Sequence, residues 1–414
     1  MSQLSVYNLK ENPFPQAASM DPFSQDPREN GTIFQPSLLE KKVVELSEKV
    51  AAKMNLIYIM GLVHERGTGK SALLVNQYRK LLEMERKGEK VRTCYIRCTK
   101  KDKPESFCSK ILEEWHKNGF LWTVFKKLLL EFSKATSSLS ITHASVEVMF
   151  RKYSSPPDQV NLKRYFHISK LSPIARKIQD YVNRSYGINK EIVKAFVESY
   201  LSTPTKLLKS LNPRRFHNID QIDIFGEILR LTSILGGVYH YIFVDQLEDR
   251  IAVLSGREIV KFTLSMRRIL EKSKNLVTFI VTLHPDSDVA LDGQSGKHLT
   301  TIAPLAPPHR IDLHPLDWKE NSSIDLVRVY LDYFRQNNHE DPIFPFTSEA
   351  IKLLTYSKEG CIRDILQRLH FTLDFALKKQ VEVIDYAFLK KNQLETIGCI
   401  LEPRKIKSFE GAMR

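Results

Sequence analysis

A short apolar run that ends in a glycine-bearing loop and leads into a helix is the feature that most constrains this chain. It covers Leu56–Leu74 and has the sequence LIYIMGLVHERGTGKSALL. Gly67 and Gly69 can adopt backbone angles closed to residues with a Cβ, so consecutive N–H groups can turn inward around a polyphosphate that also faces the helix N-terminus. Strand, phosphate-binding loop and helix, in this order, predict an α/β fold with a parallel sheet flanked by helices.

The loop and the start of the helix supply the predicted nucleotide-binding residues. Lys70 would reach the β- and γ-phosphates, and Ser71 would ligate Mg²⁺. His64 stands where the motif has a glycine, which leaves the loop geometry open; the alternative is an ordinary strand–turn–helix that binds nothing. We predict ATP and Mg²⁺ as cofactors, with the nucleotide held by Arg66, Gly67, Thr68, Gly69, Lys70, Ser71 and Ala72.

A second informative stretch, YHYIFVDQLED, covers Tyr239–Asp249. A buried parallel strand that ends in an acid delivers a carboxylate to the C-terminal edge of the sheet, so Asp245 is predicted to hold Mg²⁺. Gln246 follows Asp245 directly, at a position where many ATPases with a phosphate-binding loop have a glutamate. An amide can orient water but cannot accept its proton. Either Glu248 supplies the base, or hydrolysis is slow and ATP mainly holds a switch.

The strand predicted over Leu276–Leu283 ends in a polar side chain, Thr282, with His284 just beyond it. Thr282 is placed to sense the γ-phosphate. A last strand is predicted over Arg310–Leu313.

The chain of 414 residues has a formal net charge of +14, which suggests an acidic partner, most often nucleic acid. The segment Arg151–Asp220 contains fourteen Lys or Arg and five acids, a net charge of +9. Aromatic residues are interleaved with these charges: Tyr153, Tyr165, Phe166, Tyr181, Tyr186 and Phe216. Cations mixed with aromatics suit phosphate contact and base stacking; alternatively, the charges form solvated helix faces and the aromatics point into a core.

Five scattered cysteines argue against a disulfide framework. The sequence has no apolar run of about 18 residues, as a membrane span requires, and its beginning lacks the features of a signal peptide. We therefore expect a cytoplasmic protein without a membrane partner.

Periodicity and turn residues divide the chain into six predicted parts. A second strand is predicted over Lys90–Thr99. Helical patterns dominate the long span between this strand and the strand that begins at Tyr239, including FCSKILEEWHKNGFLWTVFKKLLLEF and ARKIQDYVNRSYGINKEIVKAFVESYL. The irregular N-terminal arm, with Phe14 and Phe34 as apolar anchors, would lie over the adenine side of a nucleotide or simply pack. The parts are an arm at 1–37, a core at 38–102, a basic helical insertion at 103–235, the rest of the core at 236–316, a helical lid at 317–395 and a basic tail at 396–414.

Together these motifs resemble those of the AAA+ ATPases. RGTGKS at 66–71 is similar to Walker A, IFVDQLE at 242–248 to Walker B, TFIVTLH at 278–284 to the sensor 1 strand and EGCIRDIL at 359–366 to sensor 2 in a helical lid. LKENPFP, IDLHPLDWKE and VYLDYFR are similar to the branch with origin initiators, Mu-type transposition regulators and phage-defence ATPases. The stretch after the lid is too short for the winged-helix domain of origin initiators, so that identity is disfavoured.

The resemblance implies ATP bound between core and lid. Catalytic roles are then expected for Lys70, Asp245, Gln246, Glu248, Thr282 and Arg363, with Ser71 and Asp245 at the metal. The family usually completes the site with an arginine from a neighbouring subunit. The candidates are Arg257, Arg268 and Arg310.

The leading hypothesis is an ATPase that acts as an oligomeric switch on DNA, in preference to RNA, as a homo- or hetero-oligomer. It would contact the nucleic acid through residues 151–220 and serve as a loader, regulator or antiviral defence ATPase. The alternative is a nucleotide-gated signalling or scaffold ATPase with slow turnover, whose insertion binds a protein. A small-molecule or RNA kinase is a weaker option.

Overall fold

The computed structural model describes eleven stretches of the chain. These are 3–17, 19–33, 39–61, 69–136, 141–153, 162–166, 170–251, 253–283, 309–313, 322–355 and 362–392. Predictions for Phe34, His64, Arg66, Gly67, Thr68, His284 and the tail lie outside the described residues.

A five-stranded sheet forms the centre of the fold. Its strands are β1 Leu56–Gly61, β2 Val91–Arg97, β3 Tyr239–Asp245, β4 Val277–Leu283 and β5 Arg310–Leu313. The order across the sheet is β2-β3-β4-β1-β5, and every pairing is parallel. The carboxyl ends of the strands therefore share one edge. The predicted fold class, a parallel sheet flanked by helices with a C-terminal helical region, is confirmed.

Helices account for most of the remaining described chain. Their bounds are α1 Glu40–Ala51, α2 Lys70–Arg86, α3 Pro104–Lys117, α4 Phe120–Ala135, α5 His143–Lys152, α6 Leu162–Tyr165, α7 Leu171–Tyr186, α8 Lys190–Ser202, α9 Leu207–Ser210, α10 Gln221–Gly236, α11 Leu247–Ile251, α12 Gly256–Lys272, α13 Ser322–Phe334, α14 Ser348–Thr355, α15 Ile362–Lys378 and α16 Tyr386–Lys391. None of these helices is long and apolar enough to cross a bilayer.

Two stretches with continuous helical periodicity each form two helices. Gly119, with φ 76°, separates α3 from α4, and Gly187, with φ 67°, ends α7 before α8. A glycine adopts this left-handed conformation without the steric cost of a Cβ. The chain therefore turns back on itself and packs helix against helix.

The two faces of the sheet bury alternate side chains of each strand. Ile57 and Ile59 share a core with α1 and α2, whereas Leu56, Tyr58 and Met60 share one with α3, α10 and α12. That second core extends without a break into α4–α8. The helices between β2 and β3 therefore share one hydrophobic core with the sheet. The predicted domain boundaries at either end of this segment remain predictions.

The N-terminal arm joins the C-terminal helices to the sheet domain. Its first half buries Phe14, which is 0% exposed and lies against Tyr330 and Phe346. Its second half follows α2, where Arg79 Nη1 donates to the Asn30 carbonyl at 3.0 Å. Of the two interpretations of Phe14, packing is the one that the contacts favour.

Candidate nucleotide-binding site

The carboxylate of Asp245 is the centre of the candidate site. It ends β3 and is 1% exposed. Its Oδ1 accepts hydrogen bonds from Ser71 Oγ at 3.1 Å, Thr282 Oγ1 at 2.7 Å and the Gln246 amide at 3.0 Å. Parallel pairing of β3 with β4 brings Asp245 and Thr282 to one edge of the sheet, and α2 carries Ser71 to the same place. The tertiary structure thus unites three residues that the sequence predicted separately.

Tyr95 contacts the other carboxylate oxygen, and sequence reasoning missed it. Its hydroxyl donates to Asp245 Oδ2 at 2.9 Å from the neighbouring strand β2. Burial, and then the adjacent Asp245 carboxylate, raise the pKa of Tyr95 well above its ordinary value. A tyrosine near the end of a predicted strand was the available signal, but nothing local shows which strands are neighbours.

The end of the predicted phosphate loop is closely enclosed. Gly69 has φ 94° and directly precedes α2, whose first residue, Lys70, is 8% exposed. A Cβ on Gly69 would lie 3.3 Å from Leu39 Cδ1 and 3.5 Å from Ile362 Cδ1. The backbone angle therefore favours glycine, and a Cβ would press on the Leu39 side chain; a glycine is expected where backbone amides approach a phosphate at a helix N-terminus.

The same contact brings the C-terminal helices to the loop. Ile362 begins α15, so Arg363 lies within the first turn of a helix that touches the phosphate loop. Arg363 is half-buried. This placement suits the lid role predicted for it; the role itself remains a prediction.

Gln246 has a left-handed backbone conformation, with φ 60°. Such a conformation costs a residue with a Cβ roughly 1–2 kcal/mol, and it is held here because the Gln246 amide donates to Asp245 Oδ1 and to Thr282 Oγ1, both at 3.0 Å. The Thr282 hydroxyl gives its one proton to Asp245, so its observed contact is with the carboxylate. Its γ-phosphate role remains a prediction, and the Glu248 side chain lies outside the described part.

The residues present fit a magnesium ion. Mg²⁺ is usually bound by one or two carboxylates together with substrate phosphates, and its octahedral bonds of about 2.1 Å place neighbouring ligands about 3.0 Å apart. Ser71 Oγ and Asp245 Oδ1 are 3.1 Å apart. A hydroxyl and a carboxylate at this separation provide two adjacent oxygen ligands, and phosphate oxygens would supply others.

The three arginines predicted to act on a neighbouring subunit differ in their surroundings. Arg268 forms ion pairs with Asp220 and Asp223 at the start of α10, and Arg310 pairs with Asp312. Arg257 is exposed in the first turn of α12. The geometry therefore favours Arg257 as the arginine available to another molecule.

The aromatic residues of the basic segment pack inward. Phe166 is buried, and the others are partly buried against the same core; they are Tyr153, Tyr165, Tyr181, Tyr186 and Phe216. Tyr186 also donates a hydrogen bond to Glu131. The contacts therefore favour the packing interpretation of these aromatics and leave the exposed cations as the groups that face solvent.

Comparison with known proteins finds likeness only among solved structures: no family model and no curated protein matches. The Aeropyrum pernix ORC1 protein in complex with DNA has a TM-score of 0.42 and 10% identity, over 89% of this chain and 67% of that chain. The Aeropyrum pernix ORC2 protein in ADPNP–ADP complexes has a TM-score of 0.44 and 9% identity, over 94% of this chain and 72% of that chain. Cdc6p from Pyrobaculum aerophilum has a TM-score of 0.38 and 11% identity, over 88% of this chain and 71% of that chain.

Likeness at this level carries no argument about activity or partners. The described fold comprises a parallel sheet, a helix that begins at Lys70 after β1, a buried acid at the end of β3 that accepts a hydrogen bond from Ser71, and a C-terminal helix whose first residue, Ile362, lies beside Gly69. The chain therefore has a parallel α/β fold with a C-terminal helical region.

Proposed function

We propose that this protein is an AAA+ ATPase that binds MgATP between the sheet domain and the C-terminal helices, hydrolyses it slowly and acts on DNA as an oligomeric switch. One observation carries the nucleotide part. Ser71 Oγ lies 3.1 Å from Asp245 Oδ1 although 174 positions separate the two residues. Two motifs that a phosphate loop requires therefore meet at one point, at the carboxyl edge of a parallel sheet.

In this proposal the chain holds the triphosphate with the loop amides and Lys70, whose charge complements the β- and γ-phosphates. Ser71 and Asp245 hold Mg²⁺, which when bound neutralises charge on the phosphates. Tyr95 and Thr282 hold the Asp245 carboxylate in one orientation. Arg363 closes the site from α15.

Slow turnover follows from Gln246. Its amide side chain can orient a water molecule but cannot take a proton from it. Glu248, two residues further on, is the alternative base. An ATPase with this arrangement remains in its ATP-bound state for long periods, which suits a loader, a regulator or a defence ATPase that waits for a partner.

Assembly of several copies would complete the site. Stabilising the charge that develops on the transferring phosphoryl group is the main catalytic task, and an arginine supplied by a neighbour serves it. Arg257 is the exposed candidate. Arg257→Ala should therefore reduce turnover while leaving the affinity of a single subunit for ATP unchanged.

The nucleotide part is tested by Lys70→Ala, with Lys80→Ala as a matched control because Lys80 is exposed on the same helix. Since charge-assisted contacts contribute about 1.5–3 kcal/mol each, loss of Lys70 should weaken ATP binding by at least about tenfold, and the control should bind normally. Equal affinity in all three proteins would overturn the P-loop assignment.

The DNA part is tested by duplex binding across a salt series, with and without a non-hydrolysable ATP analogue. Affinity should fall as salt rises and should depend on nucleotide. A protein that binds ATP but no duplex, even at low salt, would instead be the signalling or scaffold ATPase. Mass measurement under the same conditions should show a larger assembly with the analogue.

A further inference from the structure

A cluster of cations without acidic neighbours lies where α8 leads into α10. Residues 199–219 contain no Asp or Glu. Within them Lys206, Lys209, Arg214 and Arg215 are all exposed. We call residues 204–218 the basic corner. Among the described residues, no carboxylate forms an ion pair with any of these four cations.

Cations elsewhere in the basic segment are partly neutralised. Lys190 lies 2.9 Å from Asp180, and this contact, with the charges of Arg184 and Arg176, lowers the pKa of Asp180. Three cations thus lie around one acid on and beside α7. The basic corner, by contrast, has four exposed cations and no acid in its own sequence.

Buried side chains hold the basic corner in a defined shape. Leu207 and Leu211 are 0% and 2% exposed and anchor it in the core. Lys206 and Lys209, three positions apart, flank Leu207 on the solvent side. Arg215 Nη1 donates to Ser210 Oγ at 3.3 Å, which brings its guanidinium back to the residue that follows Lys209 in the sequence. Because the buried leucines already hold this backbone in place, it has less to lose in ordering when the basic corner meets a polyanion.

The side chains in this part of the sequence bear on the class of partner. Between Val148 and Ile234, the described residues include no exposed large hydrophobic side chain. A protein interface needs apolar or aromatic anchors at its centre, and a membrane-surface helix needs an apolar face. Single-strand binding needs aromatic platforms, yet the aromatics here, including Phe216, pack inward. What remains is a polar, cationic surface, which fits a phosphate backbone.

We propose that the basic corner is the docking surface for the phosphate backbone of double-stranded DNA. It would contact phosphates through Lys206, Lys209, Arg214 and Arg215 and would not distinguish base sequences. This inference rests on the proposed action on DNA and adds where contact occurs and which form of DNA is bound. Each cation would neutralise a phosphate and release a counterion.

The test compares the full chain with a variant in which all four cations are alanine. The control removes the same charge elsewhere, at the exposed residues Lys378, Lys379, Lys390 and Lys391. Binding of a random-sequence duplex is measured between 50 and 200 mM salt, about the range in which phosphate contacts dominate the salt dependence. The same strand in single-stranded form is measured in parallel, and ATP binding and melting temperature report folding.

Loss of four contacts should make the slope of log affinity against log salt shallower by about 3.6, at about 0.9 per phosphate contact. The control should keep the original slope, and the wild type should prefer duplex to single strand. An unchanged slope in the corner variant, an equal change in the control, or preference for the single strand would overturn this inference. If the wild type binds no duplex at low salt while still binding ATP, the proposed action on DNA fails first.

Discussion

Removing the Tyr95 hydroxyl is the sharpest test of how the candidate site is held together. Tyr95 and Asp245 are 7% and 1% exposed, and the hydrogen bond between them is 2.9 Å long. In Tyr95→Phe, Oδ2 loses the only hydrogen bond that the described residues give it. Hydrogen bonds to charged groups contribute about 1.5–3 kcal/mol. The ring remains, so contacts with Tyr78 and Phe23 are kept.

The assay titrates Mg²⁺ against a fixed concentration of a fluorescent ATP analogue. If Tyr95 orients the carboxylate for the metal, the half-saturating Mg²⁺ concentration should rise about tenfold, which corresponds to about 1.4 kcal/mol. Affinity for the analogue without Mg²⁺ should not change, which separates orientation of Asp245 from general damage. Tyr78→Phe is the matched control, because that ring lies in the same cluster and no hydrogen bond joins its hydroxyl to Asp245. If Tyr95→Phe needs no more Mg²⁺ for half-saturation than the wild type and the control, Tyr95 does not orient the Asp245 carboxylate for the metal.

Three further predictions concern catalysis, the loop and acid stability. Gln246→Glu should raise ATP turnover in a steady-state assay, since it supplies a proton acceptor; if it has no effect while Glu248→Gln abolishes turnover, the base is Glu248. Gly69→Ala should weaken ATP binding more than Gly88→Ala, because both residues have positive φ but only a Cβ on Gly69 meets neighbouring atoms; equal effects in a binding titration would show that the enclosed space is unimportant. His240 is 0% exposed, and burial lowers its pKa from 6.5 to about 3. Between these pH values the imidazole is protonated in the unfolded chain and neutral in the folded one. The contribution of His240 to stability is therefore lost as pH falls from 6.5 toward 3. The difference in unfolding free energy between wild type and His240→Gln should therefore shrink by about 1.4 kcal/mol per pH unit in that window, and denaturant melts that show a pH-independent difference would contradict this assignment.

The arm and the basic segment show where sequence reasoning stops. Isolated phenylalanines among turn residues indicate an anchored arm, but both the adenine ring of a nucleotide and the apolar face of a helix could pack against Phe14. The tertiary contacts with Tyr330 and Phe346 select the helices. Similarly, the spacing of Tyr181 and Tyr186 suits either stacking or packing, and only the position of α4 and its neighbours decides for packing.

The local elements can be predicted from the sequence: the strand that leads into the loop, the acid that ends β3, the long helical stretches and the concentration of positive charge. These follow from apolar periodicity and from glycine and proline at turns, which act over a few residues. The packing of distant segments, by contrast, brings Tyr95 to Asp245 and Ile362 to Gly69. It also leaves the basic corner without an acidic partner among the described residues. Such contacts depend on strand order and on helix packing, which join residues far apart in the chain and leave no periodic trace in the sequence.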